Sequence, residues 1–401
     1  MTVNDTEERS WQGWREVVGT FLKLGAMSYG GPAIMGIMQT EVQEKRQWLS
    51  RERFVEGLAV VNILPGPGAT QLGIFLGYTR AGWFGGLLAG LCFILPALVI
   101  MLTLTMLYNQ LGGLPRARSV FYGLNPVVVG IFAVAVWRLG RAAVKDRIQV
   151  VLAIAGALSV ALTPIGIIPA LLLAGAVGVS IYGTRRWGLI TVFVWASLYG
   201  FFIWSPTWLD PLTVAWPTVA RGATSSPGLW ELGFFFFQVG AFTFGGGLSM
   251  LAFMQEQVVN QLQWLTPQQF LDGLALGQLT PGPILMLAAF VGYQIASLPG
   301  ALVSAGAVFL PSFILMLSLL PVLERLKRLQ WMKAALQGIS PVVIGMIAVT
   351  IIKMLPNAVP DFLTGTLALL TVVALILWRL SPLPLLLGGG TLGILARAVD
   401  R

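Results

Sequence analysis

The sequence predicts an all-α polytopic membrane protein built from two inverted-topology repeats, with broken or re-entrant helices at Gly-Gly and Pro-Gly-Pro breaks. Three observations carry this: a composition suited to lipid, a long internal duplication, and breaks at matching places in the two halves. Of 401 residues, 56% are hydrophobic and 10% charged, with a mean hydropathy of +0.82. A soluble domain carries about 25% charged residues. Apolar runs of about 20 residues, enough to span a bilayer, recur along almost the whole chain.

The duplication is read residue by residue. Phe21 to Gly31 aligns with Phe236 to Gly246 at an offset of 215. Trp48-Leu49-Ser50 aligns with Trp264-Leu265-Thr266 after one inserted residue, and FVEGLA, Phe54 to Ala59, with FLDGLA, Phe270 to Ala275. Pro65-Gly66-Pro67 matches Pro281-Gly282-Pro283, Leu95-Pro96-Ala97 matches Leu310-Pro311-Ser312, and Pro126 matches Pro341. Self-similarity over most of two halves marks a duplication.

Loop charge sets the orientation of the halves. Between Glu41 and Arg53 lie Lys45, Arg46, Arg51 and Arg53, whereas the matching loop from Glu256 to Gln269 has no basic residue. Further along, Arg325, Lys327, Arg328 and Lys333 crowd a loop whose mate holds only Arg116 and Arg118. Basic loops stay cytoplasmic, so equivalent loops are expected on opposite faces. The expected domains are a cytoplasmic N-terminal segment 1–16, repeats 17–204 and 230–401, and an extracytoplasmic linker 205–229. An even number of crossings between cytoplasmic loops 41–53 and 138–147 makes 54–80 a hairpin turning at Pro-Gly-Pro, with 17–38 a candidate for the same. The remaining expected spans are 83–108, 120–142, 148–163, 166–183 and an unmatched 187–204, then 300–320, 336–352, 362–378 and 381–396.

Several function classes are disfavoured. The net charge of +9 lies in short loops between spans, so a nucleic-acid partner is not expected. Cys92 is the only cysteine and histidine is absent, which excludes an intrachain disulfide and argues against a transition-metal site. No cofactor and no catalytic residues are expected. The first sixteen residues lack the basic start and apolar centre of a cleaved signal.

The breaks carry the chemistry. A proline removes a backbone donor and ends a helix, and broken backbone in lipid is tolerated only where it faces protein or water. Paired breaks in two halves point to a transport site. Gly30, Gly31 and Pro32, Gly245 to Gly247, and the two Pro-Gly-Pro turns place helix N-termini near mid-membrane, where unpaired N–H groups suit an anion. Packing glycines are the plainer alternative. Around the breaks lie Ser28, Asn62, Thr70, Gln71, Thr243, Gln278 and Thr280, neutral donors that are either anion ligands or interhelical contacts. Lys23 balances an anion or extends to the surface. Glu56 and Asp272 match each other, as do Glu41 and Glu256; intramembrane acids mark proton relays. The alternative is a helix start, since Ser50 precedes Arg51 to Phe54 and Thr266-Pro267 opens the mate.

Taken together, F-x-x-x-G-A with its Gly-Gly pair, W-L-[ST] before FVEGLA or FLDGLA, and the Pro-Gly-Pro turns resemble the chromate ion transporter family in its long, two-domain form. The resemblance covers both halves. It implies export of chromate, a tetrahedral dianion shaped like sulfate, from the cytoplasm across the cytoplasmic membrane with use of the proton motive force. Gly247 stands where the first repeat has Pro32, so the two half-sites are not equivalent. The rival readings are a sulfate or other oxyanion permease, a lipid-linked phosphate flippase, and a membrane scaffold. A flippase would need more basic residues at mid-membrane, and a scaffold gives no reason for symmetric breaks. Dimerisation is left open by the sequence.

Overall fold

The computed structural model describes residues 3–29, 33–62, 64–111, 114–162, 167–183, 227–244, 247–322 and 330–399. Its first seven helices are α1 (Val3–Met27), α2 (Ala33–Met38, running on through a π-helical Gln39–Lys45), α3 (Arg51–Val61), α4 (Gly68–Leu111), α5 (Pro115–Ala143), α6 (Arg147–Leu162) and α7 (Ile167–Tyr182). The next seven are α8 (Leu229–Ala241), α9 (Ser249–Met254), α10 (Pro267–Leu279), α11 (Leu287–Leu319), α12 (Gln330–Ala358), α13 (Phe362–Leu377) and α14 (Pro382–Val399). Each helix of the first set has its counterpart seven places on. The sequence-expected span 187–204 and linker positions 205–226 lie outside the described residues. Helix α1 starts at Val3.

The matched starts of α3 and α10 follow from their caps. The Ser50 hydroxyl accepts from the Arg53 N–H at 3.3 Å, and the Thr266 hydroxyl from the Gln269 N–H at 3.1 Å, with Pro267 at the first helical position. Just before them, Gln47 and Gln263 take left-handed conformations, φ 51° and 52°. The W-L-[ST] stretch therefore makes a tight turn into a capped helix in both repeats.

Helices α3 and α10 have 11 and 13 residues. At 1.5 Å per residue they reach about 17 and 20 Å, short of the roughly 30 Å hydrocarbon core. Each is followed by Pro-Gly-Pro and a return. Gly57 and Arg53 of α3 lie against Phe75, and Val61 against Gly68, so α3 and the start of α4 run antiparallel. The chain ahead of them doubles back too, since Lys23 of α1 reaches Glu41 beyond α2 and Phe21 meets Trp48.

Helix α4 has 44 residues and α11 has 33, yet neither is one rod. Ala81–Gly82 and Ala296–Ser297 leave helical geometry at equivalent places, folding a short arm (68–80 in α4) against a long arm (83–111). Glycines make the fold-back tight. A Cβ on Gly77 would strike the Gly85 carbonyl, and one on Gly292 the Gly300 carbonyl.

The two long arms lie side by side, with Gly86 against Leu317 and Gly90 against Phe313. As the position rises in one it falls in the other, so equivalent apolar helices run antiparallel. The far end of α4 agrees, where the Gln294 amide donates to Asn109 at 2.9 Å. The repeats are inverted, as the loop charges predict. They also exchange their last hairpins: α6 and α7 pack on α12, while α13 and α14 pack on α5. Small residues close these contacts, Gly156 on Val342, Gly345 on Ala153, Gly338 on Gly178 and Gly123 on Gly389.

Candidate anion site where the helix breaks meet

The Pro-Gly-Pro turn of each repeat is hydrogen-bonded to the first break of the other. The Gly66 N–H donates to the Thr243 carbonyl at 2.6 Å, and the Gly282 N–H to the Ser28 carbonyl, also at 2.6 Å. Both glycines have positive φ, +130° and +113°, which a residue with a Cβ rarely adopts. Space forbids a side chain as well: a Cβ on Gly66 would meet Ser312 Oγ and Gln71 Nε2, and one on Gly282 would lie 2.7 Å from Ala97 Cβ. Ala97 and Ser312 are repeat mates, so the long arms close over the two turns from opposite sides. Each Pro-Gly-Pro turn thus meets the stretch that precedes the glycine break of the opposite repeat.

Polar side chains around these contacts are fully buried, among them Ser28, Thr70, Gln71, Thr243 and Ser312. Some are satisfied locally. The Ser28 hydroxyl donates to the Leu24 carbonyl, Thr243 to Val239 at 2.5 Å and Thr280 to Leu276 at 2.8 Å. Gln71 Nε2 donates to the Pro65 carbonyl at 2.6 Å and reaches Ser312 Oγ at 3.4 Å. Thr70 Oγ1 and Gln71 Oε1 have no hydrogen-bond partner among the described residues. Such groups are rare in a folded interior, and here two adjoin the start of a helix. The corresponding stretch of the second repeat, Ile284 to Leu287, is apolar. The centre is two-fold in its backbone and one-sided in its side chains.

Other sequence candidates fall elsewhere. Pro65, Pro67, Pro281 and Pro283 flank the turns; Asn62 ends α3 with an exposed side chain, and Gln278 is half-buried. Lys23 is 56% exposed and 3.9 Å from Glu41, so its stem carries the charge away from the breaks to the face of loop 41–53. Gly30, Gly31, Pro32, Gly245 and Gly246 lie outside the described residues. Gly247 has φ +99°.

The four carboxylates divide sharply. Glu41 meets Arg46 at 3.2 Å, Lys45 at 3.5 Å and Lys23. Burial pushes its carboxyl up, but the Arg46 hydrogen bond and the surrounding positive charges outweigh that and hold it below the usual range. Glu256 lies 3.4 Å from Lys353 and accepts from Asn260 at 2.8 Å. Glu56 pairs with Arg53 at 2.8 Å, its side chain 38% exposed. Asp272 is 6% exposed. Its Oδ1 accepts from Asn125 Nδ2 at 2.8 Å and Gln268 Nε2 at 2.9 Å, and its Oδ2 accepts from the Tyr108 hydroxyl at 3.0 Å. Tyr108 and Asn125 belong to the first repeat and Asp272 to the second, so the cluster ties one repeat's hairpin to the other's long helices.

Sequence reasoning missed Tyr108, Asn125, Gln268 and Ser312. For Ser312 a signal existed, the Ala97-to-Ser change inside an otherwise matching Leu-Pro pair; Asn125 stands before a matched proline. Tyr108 carried none. A separate cavity of about 790 Å³ between α1 and α4 is lined by Trp14, Arg15, Val18, Gly19, Phe84 and Leu88, with Arg15 its one charged residue.

Inverted repeats with helices broken at matching buried places are an architecture of membrane transporters. Comparison with known proteins gives the family. The pattern described as chromate transporter matches residues 15–179 and again 230–394, starting points separated by the same offset of 215 found within the sequence. A chromate transport protein of Cupriavidus metallidurans is 33% identical over 388 residues, 94% of this chain and 92% of that one. A probable chromate transport protein of Synechococcus elongatus is 33% identical over 363 residues, 89% of each. A chromate transport protein of Pseudomonas aeruginosa is 31% identical over 349 residues, 84% of this chain and 80% of that one. No solved structure matches. The chain belongs to the chromate transporter family and is a multi-pass membrane protein.

Proposed function

We propose that this protein exports chromate from the cytoplasm across the cytoplasmic membrane, driven by the proton motive force, and that sulfate fits the same centre. In this reading 17–204 and 230–401 act as the two halves of the transporter, and the hairpins at Pro-Gly-Pro are re-entrant, entering and leaving by one face. The observation that carries it is the contact of each Pro-Gly-Pro turn with the opposite repeat, with Thr70 Oγ1 and Gln71 Oε1 buried and without a hydrogen-bond partner among the described residues beside the helix start at Gly68. A tetrahedral oxyanion accepts from the Thr70 hydroxyl there, and a water kept from its hydration shell donates to Gln71 Oε1. The helix start adds unpaired N–H groups and a partial positive charge without a fixed cation. The similarity to chromate transport proteins over nine-tenths of the chain supports the choice of anion.

The Gly66 and Gly282 N–H groups are already given to carbonyls of the opposite repeat. They therefore hold the turns together in this conformation, and the donors left for an anion are those of the helix starts and of side chains. Asp272, the buried carboxylate of the pair, is the proton carrier in this reading, because an intramembrane acid held by neutral donors alone can change charge without breaking an ion pair.

The test is uptake of radiolabelled chromate and sulfate into everted vesicles with and without an imposed proton gradient. Saturable, gradient-dependent uptake of chromate is expected. Uptake of neither anion above that of vesicles lacking the protein would overturn the reading.

A further inference from the structure

A second polar cavity lies apart from the crossing of the breaks. It has a volume of about 540 Å³ and opens between the far end of α4, the start of α5, the start of α10 and the ends of α12 and α14. Arg118 and Arg397 line it, with Tyr122, Asn125, Asn357 and, at its floor, Asp272. It sits on the face opposite the basic loops. Arg118 and Arg141 are 23 residues apart on α5, about 35 Å along a helix.

Its charges are unbalanced. Neither Arg118 nor Arg397 forms an ion pair with any carboxylate among the described residues, Asp272 included, which is held by neutral donors alone. Two guanidinium groups line the cavity against one lining carboxylate, Asp272, with Asp361 behind the Tyr122 hydroxyl. Arg397 is pre-positioned: its guanidinium lies 4.9 Å above the centre of the Tyr122 ring, and the Tyr122 hydroxyl donates to Asp361 at 2.6 Å. Asp361 in turn caps α13. Asn125, 2% exposed, spends its Nδ2 on Asp272, and its Oδ1 accepts from no described residue, which leaves the floor an acceptor for a water brought in with an anion.

We propose that this cavity is a second binding station for a tetrahedral oxyanion, with Arg118 and Arg397 as its charge partners, on the face where the transported anion leaves. Planar guanidinium groups match such an anion through paired N–H bonds. The role of the station as a point of release rests on the export reading; binding itself does not. Its mates in the other repeat break the pattern: Lys333 stands for Arg118, but Tyr182 stands for Arg397 and Ser340 for Asn125. The station therefore exists on one face only.

The test is equilibrium binding of radiolabelled sulfate and of chromate to purified protein at low ionic strength. Arg118→Gln and Arg397→Gln are each expected to weaken one saturable component by roughly tenfold to a hundredfold, the loss of a hydrogen bond to a charged group. Arg118→Lys should retain most of it. Asp272→Asn, which removes the only carboxylate among the lining residues, should tighten the same component. Added salt should weaken it steeply, because both arginines are exposed. Gln71→Leu should leave it unchanged and weaken by roughly tenfold the component belonging to the crossing of the breaks. Loss of binding in Gln71→Leu with wild-type binding in the double Arg118→Gln, Arg397→Gln protein overturns the station and spares the central site. The reverse result overturns the central site and spares the station, and no saturable binding to the unaltered protein overturns both.

Discussion

Glu56 and Asp272 occupy equivalent positions in FVEGLA and FLDGLA, yet the molecule treats them as different groups. Glu56 faces the surface of the basic loop 41–53 and pairs with Arg53 one turn away. Asp272 is enclosed, and its three donors come from both repeats. The difference arises from neighbours, since the position of Arg53 is held by Gln269 in the second repeat. Removing the local cation and placing Tyr108 and Asn125 overhead converts a solvated ion pair into a buried carboxylate. Duplication gave the chain two matching acids, and divergence of their surroundings left one of them buried.

The largest expected effect tests that division directly. Asp272→Asn should abolish gradient-driven flux, by more than tenfold, while anion binding survives. Glu56→Gln should change flux by less than twofold. Everted-vesicle uptake with and without a gradient reads both. Equal losses in the two variants would restore their equivalence, and normal coupling in both would move the proton site to another group, with Glu256 the first to examine.

The supports of the two acids should differ in the same sense. Tyr108→Phe removes a donor from a buried carboxylate, at a cost of about 1–3 kcal/mol, and should lower the melting temperature clearly. Arg53→Ala breaks a pair open to solvent, which contributes about 0–1 kcal/mol, and should barely move it. A smaller shift for Tyr108→Phe than for Arg53→Ala would mean that Asp272 is not held as described.

The central site offers a parallel comparison. Gln71→Leu and Ser312→Ala are expected to weaken chromate binding, the first by roughly tenfold and the second by less, because Ser312 lies at 3.4 Å from the amide. Substituting Ala97, the apolar mate, with serine should not weaken binding. Changing Gly66 or Gly282 to alanine separates packing from binding poorly. Each added methyl meets both a strained φ and a neighbour, so loss of stability is expected whatever the role of the site.

How much of this could be read from the chain depends on range. The breaks, their pairing, the inversion and the helix starts are short-range or periodic features, and each lies in a motif: Pro65 to Pro67 with Pro281 to Pro283, loop charge, Ser50 and Thr266. The fold-back at Ala81–Gly82 was legible as the boundary between two apolar runs. The crossing was not, because the contact of Gly66 with Thr243 joins residues far apart in sequence through backbone atoms common to all residues. The fate of the two acids was equally hidden. Equivalent residues in equivalent motifs read alike until Tyr108 and Asn125, remote in the chain, are placed beside one of them. Lys23 was left between two roles, and only the position of Glu41 resolves it.

The smallest effect belongs to Glu41, the other acid of the first repeat. Its carboxyl is held below its ordinary value, with the Arg46 hydrogen bond and neighbouring positive charges outweighing burial. A carboxylate whose pKa is depressed by folding stabilises the protein above its unfolded pKa, about 4.3. That contribution is complete at neutral pH and fades as pH falls through the unfolded value toward the folded one. Glu41→Gln should therefore lower the melting temperature slightly at pH 7 and progressively less as pH drops below about 4.3, where the unaltered protein loses the same contribution. Lys23, Lys45 and Arg46 are substantially exposed, 56%, 66% and 35%. Screening keeps the effect at or below about 1 kcal/mol, and raised salt should shrink it further. Melting curves at several pH values check this, with vesicle flux at pH 7 alongside. A pH-independent loss of stability would attribute the role of Glu41 to packing, and a loss of coupling at pH 7 as large as that of Asp272→Asn would overturn the division between exposed and buried acids.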